Sequence, residues 1–213
     1  MKKLILISII IISASALLKS QDPEFEYYKS REIKTLLGRD RAGGGYGSFS
    51  LGYSVIDNQH AVLLGGRLAW VASHYVGIGF GGTGFINEYH YEPSLDREVF
   101  LTGGYGGLYI EPILFPRLPV HLAFPTLFGA GGISYITKDQ DVNSSFIEDS
   151  QAFLLIEPSA EVELNLTRFF RLAIGASYRL PSSFKVGSTD SPVIDAGSLK
   201  GLSYMVTLKF GKF

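Results

Sequence analysis

The chain has 213 residues, among them 25 glycines, 15 phenylalanines and 12 tyrosines, with no cysteine and a formal net charge of −1. Without cysteine there is no disulfide, no thiol catalysis, no cysteine metal centre and no lipobox for a lipid anchor. A charge so near zero lacks the basic excess of a nucleic-acid binder, and the glycine and aromatic content suits one β domain.

Lys2 and Lys3 precede an apolar run over 4–12, and Ser13, Ala14, Ser15 and Ala16 follow it, the layout of a signal peptide over residues 1–20. The run falls short of the ~20 residues that a helical anchor needs. Cleavage after Ala16 and cleavage after Ser20 both fit. Removing residues 1–20 leaves 16 Lys and Arg against 20 Asp and Glu, a net charge of −4. Residues 21–43 are charged and lack a strand pattern; they read as a lead-in with a short helical turn near 31–37, or as a segment that tucks back as a plug.

Beyond this point the pattern alternates with period two. Over 48–55, Phe49, Leu51, Tyr53 and Val55 share one face and Ser48, Ser50, Gly52 and Ser54 the other. Over 61–72, Val62, Leu64, Leu68 and Trp70 stand opposite Ala61, Gly65, Arg67 and Ala69. A third strand is predicted over 75–87, with a phase slip at Gly81-Gly82 read as a bulge or bend. Further strands are predicted over 99–113, 120–136, 152–166 and 169–180, and from Gly201 to the end. The links alternate too: short at 73–74, 115–119 and 167–168, long at 88–98, 137–151 and 181–200, with a tight Asp57-Asn58 hairpin as the first. Short turns on one side and long loops on the other, with an even strand count, are the signature of a transmembrane barrel. The expectation is an all-β fold, an eight-stranded antiparallel up-and-down transmembrane β-barrel over 44–213. Residues 21–43 then form a periplasmic lead-in. A soluble β-sandwich or lipocalin-like barrel is the competing architecture.

The polar parity of each strand gives the interior. It holds Arg67, Arg171, Arg179 and Lys209 against Glu111, Glu157, Glu161 and Glu163, four charges of each sign. Eight strands leave room for little more than side chains, so these groups are expected to pair as a filled core instead of lining a wide channel.

These residues resemble small eight-stranded outer-membrane β-barrels of the OmpA and OmpX type, in particular the short Gly-rich barrels of Bacteroidetes-like bacteria. The resemblance spans residues 33–213. It rests on the signal peptide, the repeats Gly44-Gly45-Tyr46-Gly47 and Gly103-Gly104-Tyr105-Gly106, the alternating links and the terminal Phe213. It implies export through the periplasm to a bacterial outer membrane, with membrane lipid and lipopolysaccharide as surroundings. It also implies an assembly signal in the last strand, at Tyr204, Leu208, Phe210 and Phe213, read by the barrel-assembly machinery; Phe213 falls off the parity of the others after Gly211. Such barrels serve several functions, so the architecture does not carry one.

No motif supplies chemistry. Gly77-Ile78-Gly79-Phe80-Gly81-Gly82 matches G-x-G-x-x-G, yet it lies inside a strand with no helix after it, so a dinucleotide is not expected. His60, His74, His90 and His121 lie too far apart to share a metal, and His90, Glu92 and Ser94 read as a solvated loop. The acidic loop with Asp139, Asp141, Glu148 and Asp149 matches no EF-hand spacing. No catalytic, cofactor or metal residue is therefore expected. The leading expectation is a non-enzymatic barrel acting in envelope structure or through its external loops. A narrow pore for small solutes and a lipid-modifying enzyme are the alternatives.

Overall fold

Among the described residues, the alternation of bulky and small residues becomes strand. The computed structural model describes residues 43–92, 97–138, 145–183 and 196–213. The segments read from the sequence as a signal peptide and, apart from Gly43, as a lead-in lie outside the described residues. The strands are β1 (Gly44–Ile56), β2 (Gln59–Ala72), β3 (Val76–Asn87), β4 (His90–Glu92), β5 (Arg97–Leu114), β6 (Val120–Ala123), β7 (Thr126–Lys138), β8 (Ser145–Asn165), β9 (Phe170–Ser183) and β10 (Gly201–Lys212). A 3₁₀ turn, Ala196–Leu199, precedes β10.

Every pairing is antiparallel, and the sheet closes on itself. β1 pairs with β2 on one side and with β10 on the other, in register from Gly45↔Lys212 to Ser54↔Ser203. β4 continues the line of β3 along β5, and β6 and β7 together fill the line between β5 and β8. Ten strands thus make eight staves. The strand expected to be continuous over 120–136 breaks at Phe124-Pro125, because Pro125 has no N–H to give the ladder. The stave stays attached there: the Phe124 N–H donates to Pro112 O at 2.9 Å and the Ser159 N–H to Pro125 O at 2.8 Å.

Asp57 (φ 55°) and Asn58 (φ 57°) both adopt the left-handed conformation, the geometry of a type I′ hairpin whose twist matches its strands. Two other expectations are corrected. The phase slip at Gly81-Gly82 does not occur: β3 keeps unbroken register with both β2 and β5. Phe85 points inward with Thr83 and Asn87, and a bulky residue in the inward set mimics a change of phase. The long link expected at 137–151 shrinks to residues 139–144, because β7 and β8 extend toward each other past a register shift at Tyr135/Ile136.

The outward parity is apolar around the whole barrel. Leu68 is 73% and Phe80 70% exposed, and the outward face of β8 presents Ile156, Pro158, Ala160 and Val162 without a charge. Each large apolar side chain left in water forgoes about 1.5–3 kcal/mol, so a belt of them requires an apolar surrounding. Aromatic side chains frame it: Trp70, Phe115, Phe169 and Phe210 toward the termini, and Tyr53, Tyr91, Tyr178 and Tyr204 toward the long links. Phe170 and Phe210 stack with ring centroids 4.8 Å apart.

Candidate functional site

The inward parity builds a core in three layers. Toward the long links it is apolar: Leu63, Phe85, Leu101, Leu127, Phe153 and Leu155 pack together, and Leu199 of the 3₁₀ turn is inserted among them. Toward the termini, Tyr46, Val71, Ile113 and Ala123 form a smaller cluster that Phe213 joins. Between the two lies the charged layer.

Lys209 of β10 is its centre. The ammonium lies 2.5 Å from Glu111 Oε1 and 3.0 Å from Glu161 Oε2, and it also donates to Glu163 Oε1. Arg67 Nη2 reaches Glu161 Oε1 at 2.5 Å, and Arg171 Nη1 lies 3.3 Å from Glu163 Oε2. Three cations thus neutralise three carboxylates, all nearly excluded from solvent. Neutral groups take up further lone pairs: the Tyr46 hydroxyl donates to Glu111 Oε2, and His121 Nε2 lies 2.8 Å from Glu163 Oε2. Cross-strand register sets His121 opposite Glu163 and Arg171 beside Lys209, the two cations that share Glu163.

Two glycines make the room. A Cβ on Gly81 would come 2.8 Å from Arg67 Cγ and 2.8 Å from the Tyr109 ring, and one on Gly175 would come 2.8 Å from Glu161 Cγ. The long charged side chains cross the lumen over these positions. The Arg67 guanidinium also lies 5.2 Å from the centroid of the Tyr109 ring.

Of the eight charges expected to pair, six come together and two do not. Arg179 is fully buried, yet among the described residues its guanidinium bonds neutral acceptors: Leu199 O at 2.8 Å, Ser203 Oγ at 2.8 Å and Ser54 Oγ at 2.6 Å. Glu157 accepts from Ser177 Oγ at 2.6 Å instead of meeting a cation. Tyr46 and His121 join the network although sequence reasoning passed over them. The signal for His121 was its inward parity with Ala123 opposite Glu163, and Tyr46 shares the parity of Ser48 and Ser50.

Tyr204, Val206 and Phe210 face outward, with Leu208 on the same parity. Phe213 does not join them. Its ring stacks on Tyr46 at 5.5 Å and lies 3.8 Å under the Arg171 guanidinium, so the terminal aromatic closes the lower mouth from inside.

Glu111, Glu161 and Glu163 bring carboxylate oxygens within 4.8 Å of one another, the one such acidic group among the described residues, and the Lys209 ammonium already bonds all three. A metal is not needed to balance them. The glycine motif of β3 lies wholly in strand. The other described histidines stay apart: the Tyr53 hydroxyl pairs with His60 Nδ1, His74 sits in the turn after β2, and His90 Nε2 lies 3.7 Å from Asp57 Oδ2. Ser94, Asp139 and Asp141 lie outside the described residues.

A closed eight-stranded sheet, apolar outside and charge-paired inside, defines the class by fold: a small transmembrane β-barrel. No family model and no curated protein matches the sequence. Among solved structures, the chain is similar to the N-terminal β-barrel domain of OprF from Pseudomonas aeruginosa at 10% identity and a TM-score of 0.45, over 80% of this chain and 98% of that one. It is similar to Neisserial surface protein A at 11% identity and a TM-score of 0.49, over 80% and 97%. It is also similar to Ail, the attachment invasion locus protein of Yersinia pestis, at 13% identity and a TM-score of 0.43, over 80% and 99%.

Proposed function

We propose that this protein is a non-enzymatic barrel of a bacterial outer membrane, reached by export through the periplasm, with a sealed interior and with its activity carried by the links at the long-loop end. In this reading its outward belt is solvated by membrane lipid and, on the outer side, lipopolysaccharide, and the barrel-assembly machinery inserts it. The observation that carries the reading is the interior: a neutral six-charge layer beneath an apolar layer leaves no continuous lumen, and every carboxylate of that layer is engaged by a cation. Envelope structure or surface contact is the work that such a plugged barrel can do.

The test is the mature protein extracted from membranes. It is expected to migrate faster unboiled than boiled on SDS gels and to give no stepwise conductance in planar bilayers. A protein that stays soluble and monomeric without detergent would overturn the membrane assignment. Conductance that changes with Arg67 or Glu161 would make it a pore, and altered lipid A on overexpression would make it a lipid-modifying enzyme.

A further inference from the structure

Between the charged layer and the Glu157–Ser177 pair lies a cavity of about 20 Å³, with Gly65, Arg67, Thr83, Glu157, Glu161 and Ser177 among its walls. A water needs roughly 10–15 Å³ by this measure, so the space admits one molecule and not a file of them. One buried group on its walls, Arg67 Nη1, lacks a hydrogen-bond partner among the described residues, and Glu161 Oε2 has no partner there beyond its 3.0 Å ion pair with Lys209 Nζ. Arg67 is only 7% exposed, so bulk solvent does not satisfy its free N–H.

From this we infer that the cavity is a hydration site for a single water, which accepts from Arg67 Nη1 and donates to the carboxylates of Glu161 and Glu157. The charges on the walls choose the ligand. Arg67 brings an unpartnered donor, and Glu157 and Glu161 bring carboxylate acceptors, to the walls of one space, and water supplies both roles at once. A chloride would face two carboxylates, and a sodium ion would face the guanidinium. Placed there, the water joins two polar clusters that protein atoms leave separate: Arg67–Glu161–Lys209 below and Glu157–Ser177 above. The apolar layer around Phe85, Leu101 and Phe153 separates it from the long-link mouth, so it is a bridge within the core and not a step on a conduction path.

The experiment is a crystal structure of the detergent-solubilised mature barrel at a resolution that shows waters, with a parallel soak in bromide. The expected result is one peak about 2.7–3.2 Å from Arg67 Nη1, with no anomalous signal from bromide. A second crystal, of Gly65→Ala, places a Cβ on the cavity wall 3.0 Å from Thr83 Oγ1. It is expected to lose the peak while the Arg67–Glu161 pair persists. If that variant does not fold, the native crystal alone decides. A bromide peak, an empty cavity, or an Arg67 Nη1 bonded to a protein acceptor would each overturn the inference.

Discussion

Replacing Lys209 by methionine keeps the length of the side chain and removes one charge from a layer that is neutral. Glu161 retains Arg67 and Glu163 retains Arg171, but Glu111 loses the one cation that bonds it among the described residues. Stripping the partner from a buried ion costs about 3–5 kcal/mol. Glu111 is 1% exposed and keeps only the Tyr46 hydroxyl, so the full range applies. With a urea slope of about 2 kcal/mol/M, the unfolding midpoint falls by about 2 M. Urea titration of the barrel in lipid vesicles, followed by the fluorescence of Trp70, reads the shift. The decisive variant is Lys209→Met with Glu111→Gln, which leaves two cations and two carboxylates, each still paired. It is expected to recover more than half of the loss. A double variant as unstable as the sum of the two single ones would refute the pairing, since groups that share an interaction do not add.

Three other perturbations probe the remaining layers. Phe213→Ala removes the ring between Tyr46 and Arg171; the ring is only partly buried, so the unfolding free energy is expected to fall by about 1–2 kcal/mol, below the 3–5 of a fully buried phenylalanine. Gly81→Ala forces a Cβ to 2.5 Å from Gly66 O, and overpacking of that kind costs about 1–3 kcal/mol in the same titration. Leu64→Arg, near the middle of β2 on the outward face, is expected to cost about 2–4 kcal/mol in vesicles, while Phe115→Arg at the rim costs about 0–1. Equal costs at the two positions would contradict a lipid-facing belt.

Most of the architecture was legible because alternation with period two is a local property: the parity that puts Phe49, Leu51 and Tyr53 outside is fixed by the strand itself. Where the reading failed, the cause was a residue that broke the rule of a greasy outside and a polar inside. Phe85 is bulky and inward, because the upper third of the lumen is filled by apolar side chains, and no pattern along one strand reports what fills the lumen. The charges were legible as an inward set, but not as a network. Which cation meets which carboxylate depends on stagger between strands far apart in sequence, as with Lys209 and Glu111. Arg179 was counted with the others by parity alone, yet its height along β9 puts it beside Ser54, Ser203 and the Leu199 carbonyl instead of beside a carboxylate.

Lys209 lies on the final strand of the chain, and the carboxylates that it neutralises lie on β5 and β8, which are synthesised earlier. Until β10 takes its place between β9 and β1, the layer contains three acids and only two bases. Without β10 the layer would hold one surplus negative charge; with it the layer is neutral. The last strand of the barrel thus supplies both the closing wall and the counter-charge.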